Sequence, residues 1–239
     1  MRHIPNLITS LNLASGFAAI IFASAGDTVT ASWLILAAMI FDYFDGFSAR
    51  LLKAYSAVGR ELDSLADVVS FGVAPAIIIY SLLRNSFSPG LPSQIIADIS
   101  NTVLIITITA IMPVCAALRL AIFNIDETQA KTFRGMPTPA NALAVISVVL
   151  AARYSASAPV IAFSGSVVLL IIFTILLSLL MVSRIPLLSL KVSDLKFRGN
   201  EGRFIMIGLI LISFAVLGFA AAPLIIPLYL LSSMISLLF

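Results

Sequence analysis

One cysteine, one histidine and one tryptophan are all that 239 residues provide, and charged residues make up only 10% of the chain. Cys115 stands alone, which excludes a disulfide framework and a thiolate metal cluster. His3 is likewise single, so neither a Ser-His-Asp triad nor an imidazole-rich metal site can be built from one chain. The scarcity of charge excludes a soluble domain. With 61% hydrophobic residues, a water-soluble fold of this length has too little core to hide them. What remains is a chain whose solvent is largely lipid. Backbone groups in lipid must be satisfied internally, and the apolar runs here are continuous rather than alternating, so helices are expected and a barrel is not.

Eight such runs lie near residues 7–24, 29–52, 59–83, 100–122, 138–153, 159–182, 204–220 and 223–238. Each approaches the ~20 residues that cross ~30 Å of hydrocarbon. The expected fold is all-α, a polytopic transmembrane helical bundle of about eight spans in a single integral membrane domain over residues 1–239. Pro223 and Pro227 predict a tight turn or broken hairpin between the last two runs. Sorting the 14 Lys and Arg by alternating loops leaves only Arg84 and Arg153 on one side. That bias predicts both termini and the long polar loops in the cytoplasm, and the expected location is the bacterial inner membrane. The net charge of +3 then reflects topology and anionic lipid, and is no argument for nucleic acid. Ala23-Ser24-Ala25 has the form of a leader cleavage site, but Pro5, Asn6, Thr9, Asn12 and Ser15 interrupt the run before it, so cleavage is not expected.

Against this apolar background, four aspartates stand out. Asp42 and Asp45 are three positions apart on the second run, and Asp63 and Asp67 are four apart on the third. Each pair therefore shares a helical face, and the short connection makes the two helices antiparallel neighbours. Four converging carboxylates need positive compensation, and Arg50 alone is insufficient. Hard divalent cations, Mg²⁺ or Mn²⁺, meet that need with oxygen ligands and substrate phosphates. Gly46 and Gly59 are expected to clear room for a phosphate or nucleotide near the helices. A cation or proton pathway is the alternative use of intramembrane aspartates, although no inverted repeat accompanies them.

The pattern Asp42-x2-Asp45-Gly46-x2-Ala49-Arg50-x8-Gly59-x3-Asp63-x3-Asp67 resembles the complete signature of the CDP-alcohol phosphatidyltransferases. Flanking segments resemble that family's phosphatidylserine synthase branch: Ile4 to Thr9 with Asn12 and Gly16, Ser70 to Pro75, Ala117 to Asn124, and Gly135 to Asn141. The branch often carries a second basic residue where Ile122 stands here. The resemblance implies a six-helix core with a cytoplasm-facing polar cavity, here a catalytic core over residues 4–190, with 204–238 an additional hairpin. It implies Asp42, Asp45, Asp63 and Asp67 as metal ligands, with Asp67 also the base. It further implies Gly46, Ala49, Arg50 and Gly59, with Asn6 and Thr9, as contacts of the CDP-lipid. Homodimers are common in the family.

The expected reaction is transfer of the phosphatidyl group of CDP-diacylglycerol to L-serine, releasing CMP, with two metal ions the expected complement. Serine's carboxylate suits an arginine, and Arg119, Arg134 and Arg184 are the candidates, with Asn124 orienting the amine or hydroxyl. Glycerol phosphate, inositol or an inositol phosphate is the alternative acceptor within the same family.

Overall fold

The computed structural model describes residues 3–54, 56–86, 95–125, 133–187 and 201–236, with backbone alone at 95–101, 133–134 and 201. All eight expected runs are helical over their described residues. The chain passes through α1 (Ile4–Ser24), α2 (Thr28–Leu51), α3 (Ala57–Asp67), a π-helical segment (Val68–Val73), α4 (Ala74–Ser86) and α5 (Ile95–Ile125). It continues as β1 (Phe133–Arg134), α6 (Thr138–Tyr154), α7 (Ala158–Gly165), α8 (Val167–Val182), β2 (Pro186–Leu187), α9 (Glu201–Leu217), a 3-10 segment (Gly218–Leu224) and α10 (Ile225–Ser236). The only strand pairing among the described residues is the two-residue antiparallel contact of β1 with β2.

Among the described residues, five helical stretches are long and apolar enough to cross a membrane, or six if α7 and α8 count as one span broken by an 81° bend. The third run is one continuous helical stretch, Ala57–Ser86. The last two runs form a single stretch, Gly202–Ser236. A positive φ at Gly218 turns it, so that α9 and α10 pack on each other. Helix α6, at 17 residues, is shorter than a full span and is the most deeply buried helix of the bundle.

Local chemistry accounts for the element boundaries. Pro5 opens α1, where a missing N–H is harmless. Asp27 caps α2 by accepting from the Thr30 amide at 3.0 Å. Ser56 caps α3 by accepting from the Gly59 amide at 2.9 Å. These two caps fix where the aspartate-bearing helices begin.

The α1–α2 pair is packed through small residues: Ala19 and Ala23 on one helix, Ala31 and Ala38 on the other, all fully buried. Close backbone approach of this kind is how helices associate in lipid, where burial of apolar surface from water is no longer available. Large side chains such as Phe17, Ile106, Leu179 and Val216 point outward, as a hydrocarbon solvent allows. Gly135, at φ +77°, docks its backbone onto the end of α8, where a Cβ would collide with the Met181 carbonyl. The amides of Gly135 and Met136 donate to the Ile185 and Leu180 carbonyls at 3.0 Å each. This seats the start of α6 against the bundle.

Candidate active site

The caps and the short link after α2 bring the two acidic helix faces together. Carboxylate oxygens of Asp42, Asp63 and Asp67 all lie within 4.8 Å of one another. Asp45 is one helical turn away on α2, buried, with its own carboxylate beside the Thr9 hydroxyl. The convergence is thus a tight group of three with Asp45 next to it, rather than one group of four. Asp67 is only 8% exposed and Asp45 6%. Buried oxygens Asp45 Oδ2, Asp63 Oδ1 and Asp67 Oδ1 have no hydrogen-bond partner. Like charges at this spacing cannot all persist unrelieved in a low-dielectric site; a bound cation or protonation relieves them. Three carboxylates within this distance form the kind of oxygen donor set that a hard divalent ion prefers. The residues fit such an ion.

Beside this group opens a cleft of roughly 710 Å³, lined by α1, the end of α2 and the start of α3. Asn6, Thr9, Gly46, Ala49, Arg50 and Gly59 all line it, together with Asp45 and Asp63. The two glycines do different things. Nothing lies within 4 Å of where a Gly46 Cβ would stand, so that position opens onto the cleft. A Cβ on Gly59 would meet Asn6 Oδ1 and Ser56 Oγ at 2.9 Å. Gly59 therefore admits the neighbouring helix and the cap, and it also lines the cleft. Arg60 also lines the cleft, and its guanidinium sits 3.6 Å from Glu61. Sequence reasoning passed over Arg60, although its place immediately after Gly59 was the available signal.

The expected acceptor residues separate. Arg119, on α5, is 8% exposed and near enough to Asp67 for their charges to interact. Its guanidinium lies 5.9 Å from the Phe123 ring centroid, and its Nε has no hydrogen-bond partner. Asn124 donates its amide to Ser64 Oγ at 2.9 Å, tying α5 to α3. Arg184 is exposed on the segment after α8 and does not line the cleft. The side chain of Arg134 lies outside the described residues. Two contributors were missed. Thr138 donates to Asp67 Oδ2 at 3.4 Å, and Tyr229 on α10 is buried within electrostatic range of Arg119. Thr138 was visible only as part of a flanking motif, and nothing local to α10 marks Tyr229.

A family model for CDP-alcohol phosphatidyltransferase matches residues 2–188. The chain belongs to this family. Among relatives of this CDP-alcohol phosphatidyltransferase, the CDP-diacylglycerol–serine O-phosphatidyltransferase of Bacillus subtilis is 35% identical over 185 residues, covering 77% of this chain and 89% of the relative. The protein of the same name from Helicobacter pylori strain 26695 is 33% identical over 238 residues, covering 98% of this chain and 91% of the relative. That of Mycobacterium leprae is 35% identical over 195 residues, covering 78% of this chain, while the match spans only 58% of the relative. The matched family region contains all four aspartates and the whole cleft, and ends before α9 and α10.

Proposed function

We propose that this CDP-alcohol phosphatidyltransferase transfers the phosphatidyl group of CDP-diacylglycerol to L-serine, giving phosphatidylserine and CMP. The observation that carries the reading is the meeting of Asp42, Asp63 and Asp67 beside a cleft lined by the signature residues. The names of the relatives support serine as the acceptor.

The cleft accounts for donor binding. Its lining of Asn6, Thr9, Gly46, Ala49 and Arg50 offers amide, hydroxyl and guanidinium groups to a cytidine diphosphate head, while acyl chains stay in lipid. Gly46 keeps the wall low where the diphosphate comes closest to α2. Asp42, Asp63 and Asp67, with Asp45 adjacent, are the residues that would hold divalent metal, Mg²⁺ or Mn²⁺ and two ions by this reading. Such ions, when bound, neutralise charge on the diphosphate and on the departing CMP.

Asp67 serves as the base. The serine hydroxyl oxygen forms the new bond to the diacylglycerol-bearing phosphorus, and the bond from that phosphorus to the CMP oxygen breaks. The hydroxyl proton passes to Asp67, whose Oδ1 is unpartnered while Oδ2 takes the Thr138 hydrogen bond. Arg119, buried and close to Asp67, supplies the cation for the serine carboxylate. The catalytic core is residues 4–190, in a single membrane domain with the active site and both termini facing the cytoplasm of the bacterial inner membrane, where the basic loops sit.

The test is CMP release from CDP-diacylglycerol by purified protein offered serine, glycerol phosphate, inositol and inositol phosphate in parallel. Serine-dependent release is expected. Release driven by another alcohol, with none for serine, would reassign the acceptor. Cation flux in proteoliposomes without CDP-lipid would instead favour a transporter.

A further inference from the structure

The helix that carries Asp63 and Asp67 changes its winding one residue after Asp67. From Val68 to Val73 it is π-helical, and Ala74 donates its amide to Val69, five residues back. The cause lies in the sequence. In an α-helix the Phe71 carbonyl would accept from the amide of residue 75, and residue 75 is proline. That carbonyl therefore lacks its α-helical donor, in a buried stretch where Ser70, Phe71 and Gly72 are all inaccessible.

The missing donor arrives from another helix. Asn141, fully buried on α6, donates its Nδ2 to the Phe71 carbonyl at 3.0 Å. One helical turn earlier, Thr138 donates to Asp67 Oδ2. The same first turns of α6 thus touch both the catalytic carboxylate and the carbonyl that the π winding exposes. On other sides the segment is held as tightly. Ser70 donates to the Asn12 carbonyl on α1 at 3.1 Å, and Gly16 leaves no room for a Cβ against Ser70. A Cβ on Gly72 would stand 2.9 Å from the Ala116 side chain on α5. Asn141 meanwhile leaves its own Oδ1 buried without a partner, a penalty that an apolar residue of the same shape would avoid. A residue kept at such a penalty is explained by what its other end does.

We propose that Asn141 is a positioning residue for the reaction: its amide replaces the N–H that Pro75 lacks, locks the π segment, and so fixes the direction in which Asp67 presents its carboxylate. This rests on the reading of Asp67 as the base. Its consequence is second-site rescue, because an amide restored at position 75 makes the Asn141 amide dispensable.

The experiment compares wild type, Asn141→Leu, Pro75→Ala and the double variant as full-length protein, by CMP release with CDP-diacylglycerol and serine. Monodispersity and helical circular dichroism are recorded for each. Asn141→Leu is expected to lose between about tenfold and a hundredfold in kcat, as a misplaced catalytic group does, with both KM values held within about twofold. The double variant is expected to recover most of that loss, a coupling that independent sites do not show. If Asn141→Leu does not fold, the double variant alone carries the test, since a folded and active double is also the predicted rescue. A kcat for Asn141→Leu within twofold of wild type overturns the inference, as does a double variant no better than the single. The base reading fails separately, and takes this inference with it, if Asp67→Asn turns over normally. Wild-type silence with serine, but not with another alcohol, removes only the acceptor assignment, and the same four proteins are then compared with that alcohol.

Discussion

Two acidic helices face one another across the site, and they are held in different ways. Helix α2 runs as unbroken α-helix past Asp42 and Asp45, capped by Asp27 at one end and carrying Arg50 in its last turn at the other. Its carboxylates share one face by helix geometry, three residues apart. The helix carrying Asp63 and Asp67 begins just as regularly at the Ser56 cap, then widens into a π segment clamped by α1, α5 and α6. Asp67 is therefore aimed by its neighbours. A site built this way has one arm that sequence spacing can predict and one that packing must complete.

Predictions that sharpen this contrast run from large effects to small. Removing divalent metal with EDTA should abolish CMP release, and Mg²⁺ or Mn²⁺ should restore it; turnover that survives chelation would break the claim that both arms serve one ion site. Asp67→Asn should lower kcat by roughly 10²–10⁴-fold with the helical spectrum unchanged. Gly16→Ala, which drives a methyl into Ser70 beneath the clamped arm, should destabilise the protein by about 1–3 kcal/mol, read as a lower Tm in detergent. Gly46→Ala is the counterpart on the regular arm. Nothing opposes its methyl, and helix propensity favours alanine by up to about 1 kcal/mol, so Tm should hold or rise. Only the KM for CDP-diacylglycerol should increase, because the methyl projects into the cleft; an unchanged KM would remove Gly46 from the donor site. Asn124→Ala should give the smallest change, about 0.5–1.5 kcal/mol from its lost hydrogen bond to Ser64, with the serine KM unaffected if the residue only ties α5 to α3.

Much of the site could be read from spacing. Asp42, Asp63 and Asp67 meet as their helical periods and the short link require, and every residue expected to touch the CDP-lipid lines the same cleft. The acceptor side was less legible. Arg119, Arg134 and Arg184 are equivalent as letters, each basic and near a helix end. Only packing buries Arg119 beside Asp67 and leaves Arg184 exposed after α8. Asn124 was chosen for its chemistry, yet its amide is engaged with Ser64. Gly59 shows the same limit: a glycine at a motif position admits either a ligand or a neighbouring helix, and the sequence does not say which.

By itself, the sequence determined the solvent, the helical class and the chemistry of the site, because continuous apolar runs leave the backbone no other satisfied form in lipid and aspartates at helical spacing must share a face. Only the tertiary structure decided which arginine joins the carboxylates, how the third run changes its winding ahead of Pro75, and that α6 reaches across to hold Asp67. These depend on contacts between residues some seventy positions apart, such as Asn141 with Phe71. No local period encodes them, since a helix specifies its own face but not the partner that will cover it.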